Sequence, residues 1–401
     1  LINPVDLEQA INKITDEILG HCEHGSQNDL LGNMKACGQF FGIAQRKRKQ
    51  RGLHGTAAAI YVLSARGNDS DIQMAQSLLE YAREQLTEKP VTDAEVDQDY
   101  DFQNTIKISE VLASINANMT RSDYADQLRI RLQNAQNKDT GAWSYYLDEG
   151  SDSDIPTCYA LLALGSSITP EKLLKIHKYL WSVYDELEPN PSADPNAFAR
   201  KCLILHAISQ TIKESSSKDI QRKLTNSISA MWKRSYAQYG SDIEVMISYF
   251  RDYQNHYIRL PWQFYLAGAL VRTNPSQFYS IRFQRYLARI NESALKGGFA
   301  NIIDSPFRST RSNAILISLF RSLISSKPKS SFFASVRDRI SEWWSVNWVR
   351  FGFVIVACSC SMYYFEVSKE FYRDTSSVIL NVVATALYSL LAWIYAVGKR
   401  F

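Results

Sequence analysis

The sequence predicts an all-α fold: a double-layered barrel of about six helical hairpins, followed by a two-helix transmembrane hairpin. Three observations carry that prediction. Six segments rich in small and aliphatic residues recur at intervals of roughly 40 to 65 residues. Charged, amphipathic segments alternate with them, and two apolar runs occupy the end of the 401-residue chain.

The six apolar segments are Thr56 to Ala65 (TAAAIYVLSA), Thr105 to Ile115 (TIKISEVLASI), Ile155 to Leu164 (IPTCYALLAL), Ala197 to Ile208 (AFARKCLILHAI), Leu260 to Val271 (LPWQFYLAGALV) and Ser312 to Ile324 (SNAILISLFRSLI). Most are apolar on more than one face, the mark of a helix buried on most sides. Between them lie Ser70 to Glu88, Ser122 to Gln136, Pro170 to Leu187, Lys218 to Tyr236 and Pro275 to Ile290, each with a charged face. The alternation puts the apolar helices in an inner ring and the amphipathic ones outside. The loops entering the inner helices carry Gly52 and Gly55 before the first, Gln136, Gly141 and Trp143 (QNKDTGAW) before the third, and Gly297, Gly298 and Phe299 before the sixth. Glycine permits a tight turn there, and an aromatic ring can plug the joint between hairpins.

On Gln136, Gly141 and Trp143 the chain resembles the α/α-toroid family of terpenoid cyclases and protein prenyltransferase β-subunits, whose repeats carry a Gln, a spacer and Gly-x-Trp. The resemblance covers about residues 1 to 325 and implies a toroid. The chemistry of that family is not carried over. A cyclase needs Asp-x-Asp-Asp to protonate its substrate, and Asp152-Ser153-Asp154-Ile155 lacks the last Asp, while Asp97-Gln98-Asp99-Tyr100-Asp101 does not match. Asp154 reads as the N-cap of the next helix. Cys158 follows Asp154 as a zinc-ligand pair would, but no His stands near the matching later helix, and His206 reads as a satisfied core histidine. The magnesium-binding Asp-Asp-x-x-Asp is missing, as are Gly-x-Ser-x-Gly, a phosphate loop and a dinucleotide fingerprint. No catalytic residue, metal ligand or cofactor is therefore predicted. The alternative is a membrane-anchored terpenoid or prenyl-transfer enzyme using Asp99, Asp152 or Asp154.

With 45 basic and 41 acidic side chains, the chain is only slightly basic, so an anion site must come from local clustering. The inner-helix entrances supply one. Arg51 and His54 precede the first inner helix, Tyr145 and Tyr146 the third, Tyr257, Arg259 and Trp262 stand at the fifth, and Arg308 and Arg311 precede the sixth. The run from Gln45 to Arg51 adds Arg46 and Arg48 beside the same rim. Guanidinium groups for phosphates and rings for stacking predict an oligonucleotide or nucleotide ligand. The competing expectation is a solvated or membrane-facing basic surface over a closed core.

Six cysteines, Cys22, Cys37, Cys158, Cys202, Cys358 and Cys360, follow no framework spacing and are expected as reduced thiols. His21, Cys22, Glu23 and His24, with the later Cys37, suggest a metal set, but adjacent residues point apart and no second ligand pair follows at zinc spacing, so no metal is expected. Asp6, Glu8, Asp16 and Glu17 interrupt any secretory h-region at the start of the sequence.

Val378 to Val397 is about 20 residues without a charge, long enough to cross a hydrocarbon core of about 30 Å. Phe351 to Phe365 reaches that length if its helix begins near Val346 with Arg350 snorkelling, and Trp343, Trp344 and Trp348 sit where an aromatic belt belongs. The predicted organisation is a cytoplasmic domain over residues 1–325, a linker and juxtamembrane helix over 326–345, and a transmembrane hairpin over 346–401. Basic residues flank the hairpin on its outer sides (Lys327, Lys329, Arg337, Arg339, Lys399, Arg400), which places both termini in the cytoplasm of a cell whose inner membrane the hairpin crosses. Asn381, Thr385 and Ser389 form one polar stripe at a spacing of four, either bonding a neighbouring helix or lining a pore. A pore needs several hairpins, hence a homo-oligomer.

A large helical domain without a recognisable catalytic set, ahead of a short transmembrane hairpin, resembles the effector subunits of bacterial anti-phage defence systems. In layout it is similar to the transmembrane effector of the Hailong system. That resemblance implies a membrane-disrupting channel controlled by a nucleotide or nucleic-acid ligand, with a nucleotidyltransferase-like enzyme as partner.

Overall fold

The structure, a computed structural model, describes residues 4–24, 35–38, 40–41, 52–86, 104–117, 122–147, 151–212, 218–235, 245–251, 254–298 and 308–325. The two apolar runs at the end of the chain, with Asn381, Thr385 and Ser389, lie outside the described residues, as do Arg46, Arg48 and Arg51. Among the described residues no helix is long and apolar enough to cross a membrane. The main compact unit takes in Ile2–Phe278 and Arg285–Pro328; a second takes in Tyr279–Gln284 with residues outside the described set.

The described residues are mostly helical, as the all-α reading requires. Each of the six apolar segments forms a helix, the fifth after its first two residues, Leu260 and Pro261: α2 (Leu53–Arg66), α4 (Thr105–Ala117), α6 (Asp154–Leu164), α8 (Pro195–Thr211), α10 (Trp262–Thr273) and α12 (Thr310–Ser325). The amphipathic segments become α3 (Asp69–Gln85), α5 (Asp123–Asn134), α7 (Pro170–Glu186), α9 (Lys218–Ser235) and α11 (Ile281–Leu295), the last after a short 3-10 turn at Pro275–Tyr279. Side-chain caps define several starts: Asn68 accepts from the Asp71 N–H at 3.0 Å, and Asp194 accepts from Ala197 at 2.9 Å. The burial pattern explains the difference between the two sets. From Trp262 to Val271 every residue of α10 is buried, whereas α9 buries only Leu224, Ile228, Met231, Trp232 and Ser235.

Packing runs from one apolar helix to the next: α2 lies on α4, α4 on α6, α6 on α8, α8 on α10, α10 on α12, and α12 returns to α2. The amphipathic helices cover these: α3 lies on α2, α5 on α4, α7 on α6 and α8, and α9 on α8 and α10. A twelfth helix, α1 (Pro4–Leu19), packs on both α12 and α2, so the start of the chain covers the seam between the last and first apolar helices. Its core stripe is Leu7, Ala10, Ile11, Ile14 and Ile18, at helical spacing.

Three short antiparallel ladders depart from the all-helical expectation. β1 (Cys22–His24) pairs with β2 (Lys35–Cys37), β3 (Phe40–Phe41) with β6 (Arg308–Ser309), and β4 (Val245–Arg251) with β5 (Gln254–Leu260). The expectation of six reduced thiols is corrected at one pair: the register sets Cys22 opposite Cys37, and they form a disulfide across a separation of 15 residues. Closing a loop of that size stabilises a fold by about 3 kcal/mol. Both cysteines are thereby withdrawn from any metal set. Cys158 and Cys202 are free and buried.

The QNKDTGAW motif works as a joint. Gln136 Nε2 donates to the Gly141 carbonyl at 2.9 Å, and Gly141 has φ +76° with α7 close behind it, where a Cβ would stand 3.1 Å from that of Lys175. The Trp143 ring is buried, its Nε1–H donating to the Leu132 carbonyl near the end of α5 at 2.7 Å, while its backbone N–H donates to Thr157 Oγ1 in α6 at 2.9 Å. Trp143→Phe keeps most of the packing but leaves that carbonyl unpaired. A loss of about 1–3 kcal/mol in the denaturant unfolding of the purified protein is the expected outcome.

Candidate ligand-binding site

Six helices converge on one cavity of about 510 Å³. Each lends residues at the three- and four-residue spacing of a single helix face. α2 contributes His54, Ala57, Ala58 and Tyr61; α4 contributes Glu110, Ala113, Ser114 and Ala117; α6 contributes Tyr159, Leu162 and Ala163. From α8 come His206 and Gln210, from α10 Phe264, Tyr265 and Gly268, and from α12 Arg311, Ala314, Ile315, Ser318 and Ser322. The space exists because so many of these residues are alanine, glycine or serine. Asn116, Ala117 and Ser322, at the C-terminal ends of α4 and α12, are the exposed part of the lining.

The charged end of the cavity is built on Glu110. His54 Nδ1 from α2 meets its Oε2, and Arg311 Nε from α12 meets its Oε1. The three side chains keep only 11–17 % of their surface exposed. Burial by itself lifts the Glu110 carboxyl, but Arg311 and then His54 outweigh it, so its pKa falls below the usual carboxylate value and it stays ionised. Burial likewise opposes the charge on Arg311, and the Glu110 carboxylate, together with the neighbouring tyrosines, more than restores it. The guanidinium lies 4.7 Å from the centre of the Tyr159 ring, a cation–π seat. Tyr159 and Tyr265 share a hydrogen bond of 2.6 Å between their hydroxyls, and burial pushes the Tyr159 pKa up to about 12.

His206 departs from the satisfied core histidine expected. Its ring lines the cavity 5.2 Å from that of Tyr265, and Nδ1 is buried without a hydrogen-bond partner among the described residues. Burial pulls its pKa down to about 4, against a smaller opposing effect of the Tyr265 backbone, so the ring is neutral near pH 7.

Of the ten residues expected to bind a ligand, the structure brings His54 and Arg311 together in this cavity. Trp262 is instead core: it opens α10, is 4 % exposed and packs edge-on against Phe198 at 5.2 Å. Arg308 is occupied with backbone, donating to the carbonyls of Gly297 at 3.2 Å and Lys296 at 3.3 Å beyond α11. The half-buried Tyr145 sits edge-on against Tyr146, and its carbonyl accepts the first N–H of α4 at 3.0 Å. Arg259 and Tyr257 belong to β5, and the half-buried Arg259 does not line the cavity.

Of the candidate acids of the enzyme alternative, Asp152 and Asp154 do not line the cavity. Asp152 accepts from Thr140 Oγ1 at 2.5 Å and from Asn137, which ties the turn before α6. Asp154 is the first residue of α6 rather than its N-cap, and it takes both Arg200 nitrogens from α8 at 2.9 Å. Asp99 lies outside the described residues. Glu110, Tyr159 and Tyr265 are the cavity residues that sequence reasoning missed. One signal was present: a carboxylate inside TIKISEVLASI, on a helix expected to be buried, demands a cationic partner.

Comparison of the sequence with known protein families finds no match, and comparison with curated proteins finds none either.

Two pH-dependent outcomes follow from the cavity. Glu110→Gln leaves Arg311 buried without its counter-charge and costs about 3–5 kcal/mol at neutral pH in denaturant unfolding. Because the folded pKa of Glu110 is lowered, its contribution is complete above the unfolded value of about 4.3 and disappears as pH falls through the folded one. The gap between wild type and variant therefore closes only below about pH 4. His206 has a lowered folded pKa as well, so its contribution is present above its unfolded value of about 6.5 and is lost as pH falls toward 4. His206→Gln accordingly flattens the stability profile in that upper window.

Proposed function

We propose that the chain is a membrane-anchored receptor and effector. Residues 1–325 form an α/α toroid whose central cavity takes one small organic ligand, and the apolar segments within 346–401 form a transmembrane hairpin that, in a homo-oligomer, opens or closes a pore. The observation that carries this reading is the cavity itself. Six helices that pack in cyclic order each present one face to it, and its volume of about 510 Å³ falls within the 300–1,000 Å³ of ligand pockets.

The chemistry of the cavity narrows the ligand. Arg311 and His54 are the cationic groups expected to meet phosphates, yet both already face Glu110, so a polyanionic strand would meet a largely neutralised floor. The size and the mixture of tyrosines, small residues and one ion triad favour a single molecule of nucleotide size or smaller, with an apolar body and a polar end. Entry is from the exposed C-terminal ends of α4 and α12. In layout this remains the arrangement of an anti-phage effector in the inner membrane, with both termini cytoplasmic and a nucleotidyltransferase-like partner supplying the ligand.

The terpenoid or prenyl-transfer alternative is less well supported. A cyclase acid must be protonated at working pH, and the carboxylate in this cavity is held ionised. The test is expression of the full-length chain beside a chain ending at Pro328, with membrane potential and growth recorded. Depolarisation and arrest are expected from the full-length chain alone. Equal toxicity from the shortened chain would defeat the pore reading.

A further inference from the structure

One strap bonds the first turns of the two helices that carry His54 and Arg311. Residues 35–38 and 40–41 run past the first turns of α2 and α12. On the α2 side the Gly52 N–H donates to the Cys37 carbonyl at 3.1 Å, and the Cys37 N–H donates to Thr56 Oγ1 at 3.0 Å. The approach is so close that a Cβ at Gly55 would stand 2.1 Å from the Gly38 carbonyl oxygen. On the α12 side Thr310 Oγ1 donates to the same Gly38 carbonyl at 2.8 Å, and β3 pairs with β6 immediately before the helix. His54 lies between Gly52 and Gly55, and Arg311 follows Thr310. The strap thus lies against the turns from which both reach Glu110. The Cys22–Cys37 bond ties it to β1, just beyond α1.

We propose that the Cys22–Cys37 disulfide is a redox-controlled clasp on the cavity, opened by a dithiol reductant, and that opening it releases the strap and with it the placement of His54 and Arg311 around Glu110. Its consequence for ligand rests on the cavity being the ligand site; the clasp itself does not. The reaction is thiol–disulfide exchange. A thiolate of the reductant attacks the sulfur of Cys22, whose side chain is partly exposed, while Cys37 is buried. Cys37 leaves as a thiolate and takes up a proton. The second thiol of the reductant then displaces Cys22, so the protein gains two thiols, the reductant becomes a disulfide, and two electrons and two protons have moved. The free thiols of Cys158 and Cys202 are fully buried and stand apart from this exchange.

Hydrogen exchange of the full-length protein in detergent, oxidised and then reduced with dithiothreitol, tests the clasp without any ligand. Reduction is expected to speed exchange at least about tenfold, or 1.4 kcal/mol of local opening, in the first turns of α2 and α12, with α6 and α8 unchanged. The Cys22→Ser/Cys37→Ser variant should show the fast exchange with or without reductant. Unchanged first turns on reduction would overturn the proposal, as would equal acceleration in every helix, which marks a general staple of the fold. Free alkylation of Cys22 and Cys37 in protein purified without reductant would overturn it too. The ligand reading fails separately, by showing no binding in either redox state while the clasp opens as expected.

Discussion

Glu110 holds together what the chain order keeps furthest apart. Five of the six contacts between successive apolar helices join neighbours along the sequence, with one amphipathic helix between them in each case. The contact of α12 with α2 joins the first apolar helix to the last, and loop-closure entropy makes it the costliest to form. At this seam the Glu110 carboxylate receives His54 from one side and Arg311 from the other. A buried ion pair such as Arg311–Glu110 adds little net stability over a hydrophobic replacement, because desolvation cancels most of the attraction. Its effect is on specificity. Separating Arg311 from Glu110 would leave a buried charge uncompensated at a cost of several kcal/mol, which favours the placement of α12 in which Arg311 reaches Glu110.

The rest of the seam follows from that choice. Tyr61 of α2 bonds Ser318 of α12 further along the same pair. α1 covers the junction with its aliphatic stripe, and Cys37 and Gly38 of the strap bond the first turns of both helices. The same residues also give the cavity its polarity. A ring of alanines, glycine and serines leaves room at its centre, the ion triad and the Tyr159–Tyr265 pair furnish one polar wall, and apolar surface makes up much of the remainder. A ligand bound there would touch the first and last apolar helices at once, and α12 is the last described helix before the apolar segments that the sequence assigns to the membrane.

The apolar segments were readable because a helix buried on most faces loses its polar side, and TAAAIYVLSA or IPTCYALLAL has none to show. QNKDTGAW was readable because glycine and tryptophan have narrow structural uses. The cavity was not, since its residues are scattered one stripe to a helix and their meeting depends on the α12–α2 contact, which no local pattern encodes. Arg308 and Arg311 illustrate the limit: three residues apart, one caps backbone carbonyls and the other lines the cavity. The cysteine pairing escaped for a similar reason, since Cys22 and Cys37 face each other only through strand register. The α1 helix has a plain amphipathic stripe but precedes the first apolar segment, so the alternation of apolar and charged segments does not mark it.

The most direct test of a ligand-holding ring is native mass spectrometry of the full-length protein released from detergent, wild type beside Ala113→Trp, which fills the cavity from α4. The account predicts one small-molecule mass per wild-type chain, in an oligomer, and its loss in the filled variant. A bare wild-type chain, or the same added mass in both proteins, would contradict it.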